Sequence, residues 1–290
     1  MGEVVQLLVQ GLSLGSIYSC IAVGFTLIFA SSSVAQFGAG NVVVFGAVMF
    51  AALNPVLGGA PSLLVVAAAG AVLGAVLYFG VIRLGESRRV SAIGLSIAAL
   101  AAGLVLDVII GIWTGDLPQV ADPIVAGAFT VVGARIPWYS IYVIGAVALI
   151  LAIVYLVVFR TMLGKAMQAI AFKPRVAEVS GLRVKQIVAV AWIISTVLMM
   201  VAGALLIPSS AVTRGLAMSL SVAGFAAAIL GGLGSFKGAI AGGFLVAMAQ
   251  TTFARYGDSA YTEVFVFLLL FVLIVLRPNG IFGVGLVRRA

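Results

Sequence analysis

Charge is what this sequence has least of. Only 8% of its 290 residues are Asp, Glu, Lys or Arg, against 64% that are hydrophobic. Soluble domains carry roughly a quarter charged residues, so a chain of this length could not cover its apolar surface in water. Histidine is absent, which removes the commonest metal ligand and proton shuttle. The single cysteine, Cys20, lies in an apolar run, so neither a disulfide nor a metal cluster can be built. Strand-like alternation is weak, because apolar residues come in runs. A lipid solvent resolves the imbalance, and the composition reads as an all-α polytopic membrane protein.

The runs are long and their breaks are distinctive. Val4–Ala30, Leu63–Ile82, Ser91–Trp113, Trp138–Phe159 and Ile187–Ile207 read as full spans. Shorter apolar segments follow Gly40 and fill Leu216–Leu230, Ala239–Phe253 and Glu263–Leu276. Together they predict about eight to ten transmembrane or re-entrant helices in a single domain over residues 1–290. No removable signal peptide is expected, since the first run is long and lacks a preceding basic region. Asn54–Pro61 reads as a turn, and Gly115–Pro137 as the longest stretch outside the membrane on its side.

What charge there is has a pattern. The longest polar run is 160–186, RTMLGKAMQAIAFKPRVAEVSGLRVKQ, with Arg160, Lys165, Lys173, Arg175, Arg183 and Lys185 against one acid, Glu178. A loop this basic belongs on the cytoplasmic side. With Arg83, Arg88, Arg89, Lys237, Arg277, Arg288 and Arg289 it places thirteen of the sixteen cations inside, leaving Arg135, Arg214 and Arg255 outside. The N-terminus is then outside and the C-terminus cytoplasmic. The cations sit at the ends of apolar runs rather than in a surface stripe, which argues against a nucleic-acid partner.

Two uncharged breaks echo one another: Ser31-Ser-Ser-Val-Ala and Ser209-Ser-Ala-Val-Thr each precede a helix of small residues. Paired broken segments in two halves of a chain point to a transport site, with a possible inverted repeat. Candidate path residues are Ser31, Ser32, Ser33, Gln36, Asn41, Ser209, Ser210 and Thr213. Asp107 is the one acid well inside a span. It pairs either with an outer arginine, such as Arg135 or Arg214, or with a substrate ammonium. No catalytic triad, metal site or proton relay is available, so the chain reads as non-catalytic. Half-helix N-termini and unwound carbonyls could pass a small zwitterion or neutral solute. Uphill transport would need energy from another subunit. Within the basic loop, Gly164–Ile170 and Val176–Ser180 can form short helices, ended by Gly181, suited to a groove in a partner.

Several stretches carry a family likeness. They are Gly11-Leu-Ser-Leu-Gly-Ser-Ile-Tyr18, Gly24-Phe-Thr-Leu-Ile-Phe29, Ile93-Gly-Leu-Ser96, Thr161-Met-Leu-Gly-Lys-Ala-Met-Gln-Ala169, Phe225-Ala-Ala-Ala-Ile-Leu-Gly-Gly-Leu-Gly-Ser235 and Arg277-Pro-Asn-Gly-Ile-Phe-Gly283. In this order the chain resembles the permease subunits of branched-chain amino acid ABC importers, of the LivH type. The resemblance implies a type II importer-like permease in a bacterial-type plasma membrane. Its partners would be a second permease, like or related, two cytoplasmic ATP-binding subunits and an extracytoplasmic solute-binding protein. It also implies that ATP and Mg belong to the ATPase subunits, with no cofactor on this chain. Coupling to those subunits would fall to Gly164, Lys165, Ala166, Met167, Ala169, Ile170, Arg175, Glu178 and Gly181. The sequence departs from the family at Gln36-Phe-Gly-Ala-Gly-Asn41, where Asn-Phe-Ala/Ser-His-Gly is usual. Lys173 stands where an acid is common. The alternative is a nucleotide-independent channel or facilitator for a small neutral solute such as urea.

Overall fold

Helix α1 (Gly2–Ser32) is the axis of the bundle, buried from Gly15 to Ile28. The computed structural model describes residues 2–131, 133–172, 174–258, 261–276 and 280–281. Lys173, Arg277–Asn279 of the C-terminal ending, Arg288 and Arg289 lie outside the described residues, as does the side chain of Arg175.

After α1 the chain runs without regular structure from Ser33 to Gln36, turns at Phe37–Gly38, and enters α2 (Ala39–Leu57). Next come α3 (Gly59–Leu77), a π-helical turn (Tyr78–Ile82) and α4 (Arg83–Ser87). Helix α5 (Ala92–Thr114) starts at an N-cap, Ser91, whose side chain accepts from Gly94 N, and ends at Gly115 in the left-handed conformation. A small antiparallel hairpin follows, β1 (Ala128–Val131) with β2 (Ala134–Pro137), pairing Ala128 with Pro137 and Thr130 with Arg135. Then come α6 (Trp138–Arg160), α7 (Met162–Phe172), α8 (Pro174–Val179) and α9 (Val184–Leu206). A short 3-10 turn (Ile207–Ser209) leads to α10 (Leu216–Gly231), α11 (Phe236–Tyr256) and α12 (Thr262–Leu276).

Among the described residues, six helical segments are long and apolar enough to cross a membrane: α1, α2, α3 with its continuation to Ser87, α5, α6, and α9 extended to Ser209. Helix α10, of 16 residues, α11 and α12 complete the bundle. Helix α1 packs lengthwise on α11 and α9, while α9 also carries α2 and α3. Small residues set these approaches. A methyl group on Gly243 would run into Ser19, and one on Gly203 into the Val43 carbonyl.

Two local readings change. Asn54–Pro61 is not a turn: α2 continues to Leu57, and only Gly58, at φ 78°, separates it from α3. Pro61 falls in the first turn of α3, where its missing N–H costs no helical bond. The segment after Thr114, read only as a stretch outside the membrane, contains the hairpin. It is tied down by Asn54 Nδ2 donating to the Asp122 carbonyl at 3.0 Å and by a bridge between Gln119 and Val212. This is the hairpin end of the bundle. Helices α4, α7 and α8 mark the other, basic-loop end.

Candidate functional site

The break between α1 and α2 is held against the middle of α5. Gly38 meets α5 backbone to backbone at Gly103, the middle residue of that helix, and neither position has room for a side chain. Two lone hydroxyls pin the segment. Ala35 N donates to Ser96 Oγ at 2.9 Å. Gly40 N donates to Ser221 Oγ at 2.8 Å, and that hydroxyl donates to the Phe37 carbonyl at 3.2 Å. The first turn of α2 is thereby fixed against the start of α10.

Between these pins lie two amides. Gln36 is buried, and its Oε1 has no hydrogen-bond partner. An unpaired acceptor in such a site costs about 1–3 kcal/mol. Asn41 is also buried, with Nδ2 against Gly103. One acceptor and one donor therefore flank the α2 N-terminus, whose amides carry partial positive charge. Phe37 is partly exposed beside them and packs edge-on to Phe225 at 5.5 Å, which in turn meets Phe25 at 5.7 Å.

The serines preceding the break have other tasks. Ser31 and Ser32 donate back to the Ile28 carbonyl at 3.1 and 2.8 Å, within α1. Ser33 is exposed, with φ 56°. Ser209, Ser210 and Thr213 are exposed at the hairpin end, whereas Gln36 and Asn41 are buried. The first break meets α10 at Ser221, and the 3-10 turn that opens the second touches α2.

Asp107, one turn from Gly103, accepts from Arg214 Nη2 at 2.6 Å, and Asp116 accepts from the other terminal nitrogen of the same guanidinium. Its hydrogen bonds to Asp107 and Asp116 raise the Arg214 pKa above its ordinary value, so it is a cation at every working pH. The triad ties the loop before α10 to α5.

At the basic-loop end α7 has two faces. Gly164, Met167 and Ile170 are buried, recurring every three residues. A side chain on Gly164 would collide with the Val158 carbonyl, so α7 can lie on the end of α6 only with glycine there. Met162, Leu163, Lys165 and Ala169 are exposed, and Ala166 lies between the faces. On α8, Glu178 and Val179 are exposed, and Gly181, at φ 82°, closes the loop. Met167 and Gln168 line a cavity of about 250 Å³ with Thr26 and Ser31 of α1. The hydroxyl of Thr26 is buried there without a partner. The loop is thus rooted in the helix that leads to the break.

Ser96, Gly103, Phe225 and Ser221 were not candidates from sequence. The available signal was small: hydroxyls and a glycine standing alone in otherwise apolar helices.

This architecture has relatives. The chain is 28% identical over 300 residues to the high-affinity branched-chain amino acid transport system permease protein BraD of Pseudomonas aeruginosa, covering 96% of this chain and 95% of that one. It is 29% identical over 280 residues to a probable branched-chain amino acid transport permease protein LivH of Methanocaldococcus jannaschii, covering 91% and 88%. The LivH permease of Escherichia coli K12 matches at 27% over 301 residues, covering 96% and 95%. No solved structure gives a significant match. The family model for the branched-chain amino acid transport system permease component matches residues 7–275. This chain belongs to that permease family.

Proposed function

We propose that the chain is the membrane permease subunit of an ATP-driven importer for small zwitterionic solutes, branched-chain or related amino acids first among them. The relatives' names support the cargo class, and the break supplies compatible chemistry. Gln36 Oε1 can accept from an ammonium group, while Asn41 Nδ2 can donate to a carboxylate that the partial positive charge of the α2 N-terminus favours. No unpaired charge is needed to hold such a solute. That arrangement cannot drive uphill movement, so energy enters from elsewhere.

The observation that carries the reading is α7. Its inner face is rooted against the cavity below Thr26 and Ser31, while Met162, Leu163 and, on α8, Val176 and Val179 stand exposed among cations. An apolar strip rimmed by charge at a membrane surface suits a protein groove. The partner is an ATP-binding subunit, present in two copies, which holds ATP and Mg. A second permease, identical or related, completes the membrane unit. A solute-binding protein delivers cargo at the hairpin end. The basic loop lies in the cytoplasm of a bacterial-type cell and the N-terminus outside, supported by the cation distribution.

Replacing Met162 and Leu163 with serine tests this reading without touching the buried face. Membrane abundance should be unchanged while co-purification of the ATP-binding subunit falls at least tenfold. Undiminished co-purification would remove α7 from the coupling role.

A further inference from the structure

A groove of about 500 Å³ runs along the outside of the bundle between α1, α6 and α11. Its walls are Val147, Leu151, Tyr155, Ile240 and Phe244, and the Ser16 hydroxyl among them already donates to the Leu12 carbonyl at 2.8 Å. Apart from Lys237 at its basic-loop end, nothing in it could hold a charged solute. Toward the basic-loop end its lining residues Phe236 and Lys237 are shared with a second hollow of about 520 Å³, which adds Gln168, Ser235 and the Gly234 backbone. Tyr155 and Phe159 close the junction, their rings 5.8 and 5.9 Å from that of Phe236.

The geometry points to a site for one anionic phospholipid, with an acyl chain in the groove and the phosphate at Lys237. Three features select this occupant. From Ile144 to Leu156 the groove follows thirteen residues of α6, about 18 Å end to end, which matches one leaflet of a hydrocarbon core about 30 Å thick. A partner helix crossing the whole membrane would need a longer contact. Lys237 stands in the first turn of α11, where helix amides add positive charge, and no carboxylate pairs with it among the described residues. Tyr155, with its amphipathic ring, sits where the apolar groove gives way to the polar hollow, as interfacial aromatics do. Because Gln168 of α7 lines the hollow, the headgroup touches the basic loop, and anionic lipid steadies α7 against α11.

The full chain, purified from membranes, is titrated with phosphatidylglycerol or phosphatidylcholine and bound lipid is counted by native mass spectrometry. The parent should prefer phosphatidylglycerol. Lys237→Gln should lower that preference about fivefold, the value of one lysine at an anionic surface. Ala148→Phe, which fills the groove, should lower binding of both lipids, and excess inorganic phosphate should displace neither. An unchanged preference in Lys237→Gln overturns the proposal, whether or not Ala148→Phe folds. So does displacement by phosphate alone, or disulfide linkage of Ala152→Cys to the same variant on a second permease, which would make the groove a protein interface.

Discussion

Ser221→Ala is the sharpest structural perturbation available, because one hydroxyl fixes the break. Ser221 Oγ accepts the Gly40 N–H at 2.8 Å and donates to the Phe37 carbonyl at 3.2 Å. Gly40 is fully enclosed, and even a methyl group there would strike the Ala217 carbonyl. Water therefore cannot replace the lost acceptor, and stranding one buried N–H costs about 1–3 kcal/mol. The Phe37 carbonyl adds less, since its bond is long and its residue partly exposed. A total of about 2 kcal/mol lowers the unfolding midpoint by about 4–8 °C for a chain of this size. Ser221→Cys should fall between, because a thiol is a weak acceptor. Ser32→Ala is the control: its hydroxyl only doubles a bond to the Ile28 carbonyl of its own helix, so the change should stay within about 0.5 kcal/mol. The assay is thermal unfolding of the purified chain in detergent, paired with solute uptake in membranes. If Ser221→Ala unfolds with Ser32→Ala, the break is not held by that hydroxyl.

Other perturbations separate stability from transport. Gln36→Leu removes a buried acceptor that has no partner, so the unfolding midpoint should hold or rise while uptake falls at least tenfold; unchanged uptake would take Gln36 out of the path. Gly164→Val pushes α7 off the Val158 carbonyl, and should abolish ATP-driven uptake while the permease still reaches the membrane. Arg214→Gln leaves Asp107 and Asp116 without their cation, and adding Asp107→Asn should restore part of the lost thermal stability; strict additivity in the two-by-two comparison would show the pair is not coupled.

The helices were legible because lipid leaves their apolar runs uninterrupted, and Ser91 and Gly115 bound α5 by ordinary capping chemistry. The uncharged break was legible for a related reason: a stretch with neither grease nor charge fits only inside protein. Its partners were not. Ser221 lies 181 residues from Gly40, and Ser96 61 from Ala35, and no local periodicity links such pairs. Asp107 had several outer arginines available, Arg135 and Arg214 among them. Only the position of the loop before α10, next to α5, selects Arg214. The echo between Ser31–Ala35 and Ser209–Thr213 put similar residues in two breaks, but burial separates them, with Ser31 inside the bundle and Ser209 exposed. The basic loop's charge marked its place, whereas the alternation of Gly164, Met167 and Ile170 with exposed neighbours needed the α6 contact to assign an inner face.

The central claim is that movement through the break depends on energy delivered at α7. The most direct measurement is leucine uptake into proteoliposomes holding this chain, its ATP-binding subunits and a second permease, with the solute-binding protein added outside. Uptake should require both ATP and the binding protein, and should vanish in Gly164→Val. Solute flux through this chain alone, without nucleotide and unaffected by Gly164→Val, would contradict the account and make the protein a passive facilitator.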